Sequence, residues 1–436
     1  MTRSFFFPLG IVCFCLALAY PAQALQGQVI DGATGAGIAD ATVVSGNQLV
    51  TADGEGRFQL QAATGVLFAR APGYRAESFV VTELPASDAK LSLPPFVPRA
   101  VYLSAYGIGS AKLREAALAL VQAGTVNALV IDIKGDSGLV PYPSAVPLVQ
   151  QDGARRITTI PNLAALVQML HQKGIYVIAR IVTFKDNPLA TYRPDLAVHL
   201  ADGTLFRDRE NLSWTDPFQP EVQAYNIAIA VEAARAGFDE IQFDYLRFPD
   251  AAKRLVFAAP ATEPSRIAAI SGFLAKARQQ LLPYNVYLAA DVFGYVCWNT
   301  SDTGIGQTLD AMAPNVDYFS PMLYPSGFQF GVPGYSNPIN NPYAIVYLSL
   351  AQAQHRLHIS PKRFRPWLQA FADYAFDHRK FDASAVAAQI KATRDFGSDG
   401  WMLWNPRNDY NNAVLATCLT KAAKMKAGVL SSSACY

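Results

Sequence analysis

From Arg99 onward the chain repeats one pattern, an apolar run followed by a stretch with helical spacing. The runs are AVYLSAY (100–106), NALVIDI (127–133), IYVIARIVTF (175–184), FDEIQFDY (238–245), NVYLAADVF (285–293), VDYFSPMLY (316–324), FRPWLQAF (364–371) and DGWMLWN (399–405). Nearly continuous apolar runs predict strands buried on both faces. Amphipathic stretches near 111–123, 161–173, 220–236, 264–282, 306–313, 342–356, 384–396 and 410–426 predict the helices that cover them. Eight strand-then-helix units across 99–426 predict an α/β fold, a (β/α)₈ TIM barrel with long loops after its strands. The rival, a doubly wound open sheet, needs a phosphate-binding loop after its first strand, and AYGIGSAK has only an incomplete glycine pattern.

Residues 25–83 carry a different rhythm: QGQVI, ATVVS, RFQLQ, GVLFARA and YRAESFVV, separated by turn signals such as Asp53-Gly54-Glu55-Gly56. This pattern predicts a small all-β sandwich domain. Residues 84–98, with Pro85, Pro94, Pro95 and Pro98, read as a stiff linker rather than an element. Residues 1–24 combine Arg3, an apolar run from Phe5 to Tyr20 and Ala22-Gln23-Ala24, the pattern of a cleaved secretory signal peptide. An uncleaved anchor is the alternative, but Pro8 interrupts a run already shorter than the roughly 20 residues a span needs. No later run could span, so a secreted or periplasmic protein without a membrane span is expected.

Composition narrows the partners. With 36 Lys+Arg against 34 Asp+Glu there is no electrostatic footprint for nucleic acid, and 51% hydrophobic residues exclude disorder. Cys13 and Cys15 fall in the leader, which leaves Cys297, Cys418 and Cys435. Cys418 and Cys435 could close a disulfide across the C-terminal tail, 427–436; Cys297, with no His nearby in sequence, reads as a packed small side chain.

Barrel chemistry sits at the C-terminal ends of strands, where polar residues stand out in apolar runs. The second strand ends in Asp132, Lys134 and Asp136; the third carries Arg180; the fourth has Gln242, Asp244 and Arg247; the fifth ends at Asp291. The sixth supplies Ser320 and Tyr324, the seventh Trp367 and Gln369, the eighth Trp404 and Asn405. Alternation places Gln242 with Asp244 on one face and Asp132 with Lys134 on another, both toward the mouth. Carboxylates among Trp, Tyr, amides and Arg suit a sugar, and glycosidic cleavage needs one carboxylic acid and one carboxylate. Asp244 and Asp291, on adjacent strands, are the first candidate pair. Asp132, Lys134, Arg180, Gln242, Arg247, Tyr324, Trp367, Gln369, Trp404 and Asn405 are candidates for binding substrate. Structural ion pairs with Arg180, Arg247 or Lys134 are the plainer alternative for the aspartates.

No metal or cofactor is expected, since the five His are scattered and only His355 and His358 are close. Asp132, Asp136 and Asp244 could at most form an all-aspartate site for a hard cation. Neither G-x-S-x-G nor S-x-x-K supports a nucleophilic serine.

The N-terminal stretch GQVIDGATGAGIADATV, with TADGEGRFQL and APGY, resembles carboxypeptidase regulatory-like β-sandwich modules, which are rarely catalytic. The blocks NALVIDIKGDSG, GIYVIARIVTFKDNPLA, WTDP, GFDEIQFDYLRFP, AADVFG, IGQTLD, VDYFSPMLYPS, RPWLQAF and GWMLWNPRNDY resemble a bacterial glycoside-hydrolase-like family with a TIM barrel distantly similar to that of the α-amylase group. That resemblance implies a nucleophile at the end of the fourth strand, Asp244, and an acid/base at the end of the fifth, Asp291. Two departures stand out: Gln242 replaces the Arg of the α-amylase group, and the acid is Asp rather than Glu. The chitinase-type D-x-x-D-x-D-x-E is broken in DEIQFDYL, with Gln242 and Leu246 at its second Asp and its Glu. The expected function is hydrolysis of a glycosidic bond in a polysaccharide or oligosaccharide; the alternatives are a non-catalytic polysaccharide-binding barrel and a scaffold carrying an adhesive sandwich.

Overall fold

The structure is a computed structural model, and it describes residues 23–250 and 254–410. The predicted leader up to Ala22, the helix 410–426 beyond its first residue, Cys418 and Cys435 lie outside those residues.

Seven strands precede the barrel: β1 (Gln23–Asp31), β2 (Thr42–Ser45), β3 (Gln48–Thr51), β4 (Arg57–Ala63), β5 (Val66–Arg70), β6 (Glu77–Val80) and β7 (Ala89–Leu93). They form two sheets, ordered β4-β1-β7 and β3-β2-β5-β6, around a core that includes Leu25, Val29, Val43, Leu60 and Leu67. One expectation is corrected here. Strand β7 lies inside the segment read as linker and pairs in parallel with β1. Its sequence AKLSL alternates buried Ala89, Leu91 and Leu93 with exposed Lys90 and Ser92, and this period of two prevails over the flanking prolines.

The eight predicted barrel strands are all present: β8 (Arg99–Leu103), β9 (Ala128–Lys134), β10 (Tyr176–Val182), β11 (Glu240–Asp244), β12 (Tyr287–Phe293), β13 (Tyr318–Met322), β14 (Trp367–Gln369) and β15 (Trp401–Trp404). They run parallel and close, β15 pairing with β8. Between them lie α1 (Ala105–Gly109), α2 (Ala111–Gln122), α3 (Pro147–Gln151), α4 (Leu163–His171), α5 (Asn187–Tyr192), α6 (Pro220–Arg235), α7 (Glu263–Leu281), α8 (Leu309–Met312), α9 (Pro342–Leu357) and α10 (Ala383–Phe396). Side-chain caps start several of them: Ser110 for α2, Asn162 for α4 and Asp382 for α10. None of the described helices is long and apolar enough to cross a membrane.

Alternation divides the buried residues. Ile131, Ile133, Val177, Ile241 and Phe243 face the helices, while Ala128, Val130, Ile178, Ala289 and Met402 fill the barrel. The sandwich closes the N-terminal end. Tyr287 donates to the carbonyls of Ala71 and Tyr74, each at 2.9 Å, and the Gly73 N–H meets Asp399 Oδ2 at 3.3 Å. Arg75 lies 4.0 Å over the Phe96 ring, so the turn after β5 is anchored by both polar and aromatic contacts. The opposite mouth, at the strand C-termini, is left for the loops.

Candidate functional site

The register aligns Arg180 with Asp132 on one side and Gln242 on the other, and pairs Gln242 with Ala289. Two residues further along each strand, Asp244 and Asp291 follow on β11 and β12. The Arg180 guanidinium, 1% exposed, gathers three carboxylates. Its Nη1 donates to Asp132 at 2.7 Å, its Nη2 to Asp136 at 2.7 Å and to Asp244 at 2.6 Å, and its Nε again to Asp244 at 2.9 Å. Asp132, Asp136 and Asp244, the candidate hard-cation cradle, thus converge on an internal cation. The second Asp244 oxygen accepts the Tyr245 N–H at 2.6 Å. Tyr245 holds φ at 46°, a left-handed conformation unusual for a bulky residue and typical of positions held for function.

Asp132 also accepts the Tyr102 hydroxyl at 2.6 Å. Burial raises its carboxyl to about 6, against the pull of Arg180. Asp291 is the opposite case to Asp244. One oxygen accepts Trp367 Nε1–H at 2.9 Å, while Oδ2 is buried without a hydrogen-bond partner. Burial, and then the Asp244 carboxylate beside it, push Asp291 well above the usual carboxylate range. Two neighbouring carboxyls therefore occupy contrasting environments, one charge-paired and one desolvated, the arrangement that separates a base from an acid.

Above Asp244 opens a cleft of about 240 Å³ lined by Asp244, Tyr324, Trp367, Trp404, Phe293 and Tyr374, among others, while Asp291, 1% exposed, lies behind the lining residue Trp367 to which it is bonded. The sequence profile of a family described as "Putative glycosyl hydrolase domain" matches residues 100–410. The chain belongs to this family. No curated protein sequence matches the chain. Among solved structures, a hypothetical protein from Ruminiclostridium thermocellum ATCC 27405 is 40% identical across 44% of this chain and 97% of its own, with a TM-score of 0.39. The glycoside hydrolase domain of PgaB (BpsB) from Bordetella bronchiseptica is 16% identical across 77% of this chain and all (100%) of its own, with a TM-score of 0.52. A β-galactosidase from the psychrophilic Marinomonas ef1 is 11% identical across 76% of this chain and 61% of its own, at 0.54. The last two likenesses are likenesses of fold.

Within the matched domain the other candidates are distributed unevenly. Tyr324, Trp367, Trp404, Arg180 and Arg247 line the cleft. Arg247 stacks 5.0 Å over Trp214 and pairs with Asp250. Lys134 does not share a face with Asp132, which corrects the alternation argument. A register shift beside Arg180 pairs Ile181 with Lys134, and the ammonium ends fully buried between barrel and α6, 2.6 Å from Asp186 and 2.9 Å from Asn226. Gln242 lies beneath the cleft, donating to Ser320 at 3.0 Å, with its Oε1 unpartnered. Gln369 and Asn405 brace loops rather than line the cleft: Gln369 binds Ser326, and Asn405 binds the Ala370 and Asp409 carbonyls. Cys297 is buried, its thiol pushed up to about 12 by burial, as a packing side chain should be.

Sequence reasoning missed Tyr102, whose inward position follows from alternation with Ala100, and it missed Phe328 and Tyr374. The last two come from loops after β13 and β14, where no period exists to expose them.

Proposed function

We propose that the protein is an exported glycoside hydrolase that cleaves a polysaccharide, with Asp291 as general acid and Asp244 as nucleophile or base. The observation that carries this reading is the contrast between the two carboxyls: Asp291 desolvated, its neutral form favoured by burial, and Asp244 bonded to Arg180 and the Tyr245 N–H. As the glycosidic C–O bond breaks, the Asp291 proton passes to the leaving oxygen, which keeps the bonding electron pair. Asp244 either bonds to the sugar carbon or takes a proton from the attacking water. Arg180 balances charge, and the Trp and Tyr rings suit the C–H faces of a sugar. Export rests on the leader sequence.

The test is reducing-end release by the mature chain and by Asp244→Asn on soluble starch, glycol chitin, chitosan and bacterial exopolysaccharides. Release that drops by about 10³-fold or more in Asp244→Asn supports the reading. The second reading, a polysaccharide-binding barrel without turnover, is favoured by one observation: Asp132, Asp136 and Asp244 are all committed to Arg180. Silence on every polymer, with binding to one of them retained, decides for it.

A further inference from the structure

The mouth of the barrel holds a second depression. It measures about 300 Å³ and is lined by Tyr102, Tyr106, Asp132, Asp136, Glu210 and Trp404, with others. Trp404 belongs to both linings, so the two depressions adjoin across one indole. They occupy adjoining arcs of the mouth. The first lies over β10 to β15, the second over β15, β8 and β9 with Glu210 and Leu212 from the segment between β10 and β11, and the closed strand order sets β8 across from β12.

Exposed aromatic rings mark both outer ends. Tyr106, on α1 directly after β8, is 62% exposed; Phe293, at the end of β12, is 42% exposed. From Phe293 the rings continue outward: its centroid lies 6.1 Å from that of Tyr295, which lies 6.3 Å from Phe330. Phe330 is 93% exposed, the highest value among the large apolar side chains of the described residues. Its backbone is held in place. Tyr295 Oη accepts the Phe330 N–H at 2.9 Å and donates to the Gly331 carbonyl at 3.2 Å. Tyr106 stands on an equally fixed platform: the α1 cap Ser104 bonds Asn408, and Thr159 bonds the Ala105 carbonyl. Phe293, Tyr295 and Phe330 form a contiguous row of rings rather than a single exposed residue, and a contiguous exposed apolar patch marks an interaction surface.

We propose that the mouth is a through-going trench for an extended glycan chain, with Tyr106 at one end and the Phe293–Tyr295–Phe330 rail at the other. The proposal rests on the glycosidase reading and adds the substrate's form: a polymer held on both sides of Asp244 and cut internally. A pocket for a chain end needs contacts on one side only. Here the contacts continue from Asp244 past Phe293 in one direction and past Trp404 to Tyr106 in the other.

The test compares wild type, Phe330→Ala and Tyr106→Ala on the most readily cleaved polymer of the panel and on its di- and trisaccharides. Both substituted rings are exposed, so folding is preserved, and thermal melting checks it. Each variant should raise KM for the polymer roughly five- to tenfold with kcat held, the loss expected for one ring contact, and leave the shortest cleaved substrate unaffected. Products sized early in the reaction should be long fragments. Unchanged polymer KM in both variants, or release of single units from the outset, overturns the trench while the hydrolase reading stands. A wild type silent on every polymer overturns that reading instead. Affinity electrophoresis on the same polymers then judges the trench: retardation lost in Phe330→Ala supports it, and equal or no retardation rejects it.

Discussion

The barrel carries a buried guanidinium surrounded by carboxylates at each of its two ends, and the two are used differently. At the N-terminal end Arg365 meets Glu240 and Asp399, with the Tyr318 ring 3.9 Å away. At the C-terminal end Arg180 meets Asp132, Asp136 and Asp244. Arg365 and Arg180 are both essentially inaccessible. What differs is the cover. The turn at Gly73 lies over Asp399 and Tyr318, whereas a cleft opens over Arg180 and Asp244. The charge balance differs too, because Asp291 adds a fourth carboxyl at the open end and has no cation of its own. A guanidinium sealed under protein can only hold the fold, while the same group beneath an open cleft can hold a reacting carboxylate.

The largest test of that contrast is Asp291→Asn. It removes the desolvated acid without adding a charge, and kcat should fall by about 10²–10⁴-fold. The pH profile carries the sign. An acid held well above its ordinary range is active while protonated, so wild-type kcat/KM falls as pH rises through that raised value. The variant's residual rate should lose that alkaline limb. A profile unchanged in shape would mean that Asp291 is not the proton donor.

Arg365→Met should be the mirror image. Glu240 and Asp399 would be left buried and unpaired, at a cost of about 3–5 kcal/mol measured as a shift of the denaturant midpoint. Substrate KM and the pH profile should stay as in wild type, since nothing at this end faces the cleft. A change in either parameter in a still-folded variant would break the comparison.

Much of this was legible in the sequence. Six of the eight barrel strands fall inside the apolar runs, and β8 and β9 pass theirs by one residue each, Arg99 and Lys134, because strands buried on both faces are nearly apolar throughout. The limits overran where apolar residues continue past the ladder: the first run extends through Ala105 and Tyr106, yet Ser104 caps a helix there. The aspartates were visible as polar residues in apolar strands. Lys134 was misassigned to the mouth because a bulge is a register event that alternation cannot register. The sandwich could be read as a module, but not as the cover of the barrel floor. Its contacts join Ala71 and Gly73 to tyrosines more than two hundred residues away, and no local pattern encodes such a pairing.

A smaller effect sharpens the comparison at the open end. Burial raises Asp132 to about 6, so the folded state binds its proton more tightly than the unfolded chain does. Its contribution to stability is fully present below pH of about 4 and is lost as pH rises through about 6. Asp132→Asn removes this titration. Plots of unfolding free energy against pH should therefore converge at low pH and separate between about 4 and 6, the variant falling less steeply. Parallel curves would mean that Asp132 does not titrate in that window.

The smallest effect belongs to the sealed end. Gly73 holds φ at 94°, where an added Cβ would come within 2.8 Å of Lys362 Cδ. The neighbour is a flexible side chain able to move, so the cost of Gly73→Ala comes mainly from the backbone conformation, about 1–2 kcal/mol. Because Gly73 sits in the turn that covers Asp399 and Tyr318, the loss should appear in thermal unfolding of the barrel and sandwich together, with kcat/KM at wild-type value. A sandwich that melted separately, ahead of an intact barrel, would show that the floor does not depend on its cover, and the sealed guanidinium would then have to be held by Glu240 and Asp399 alone.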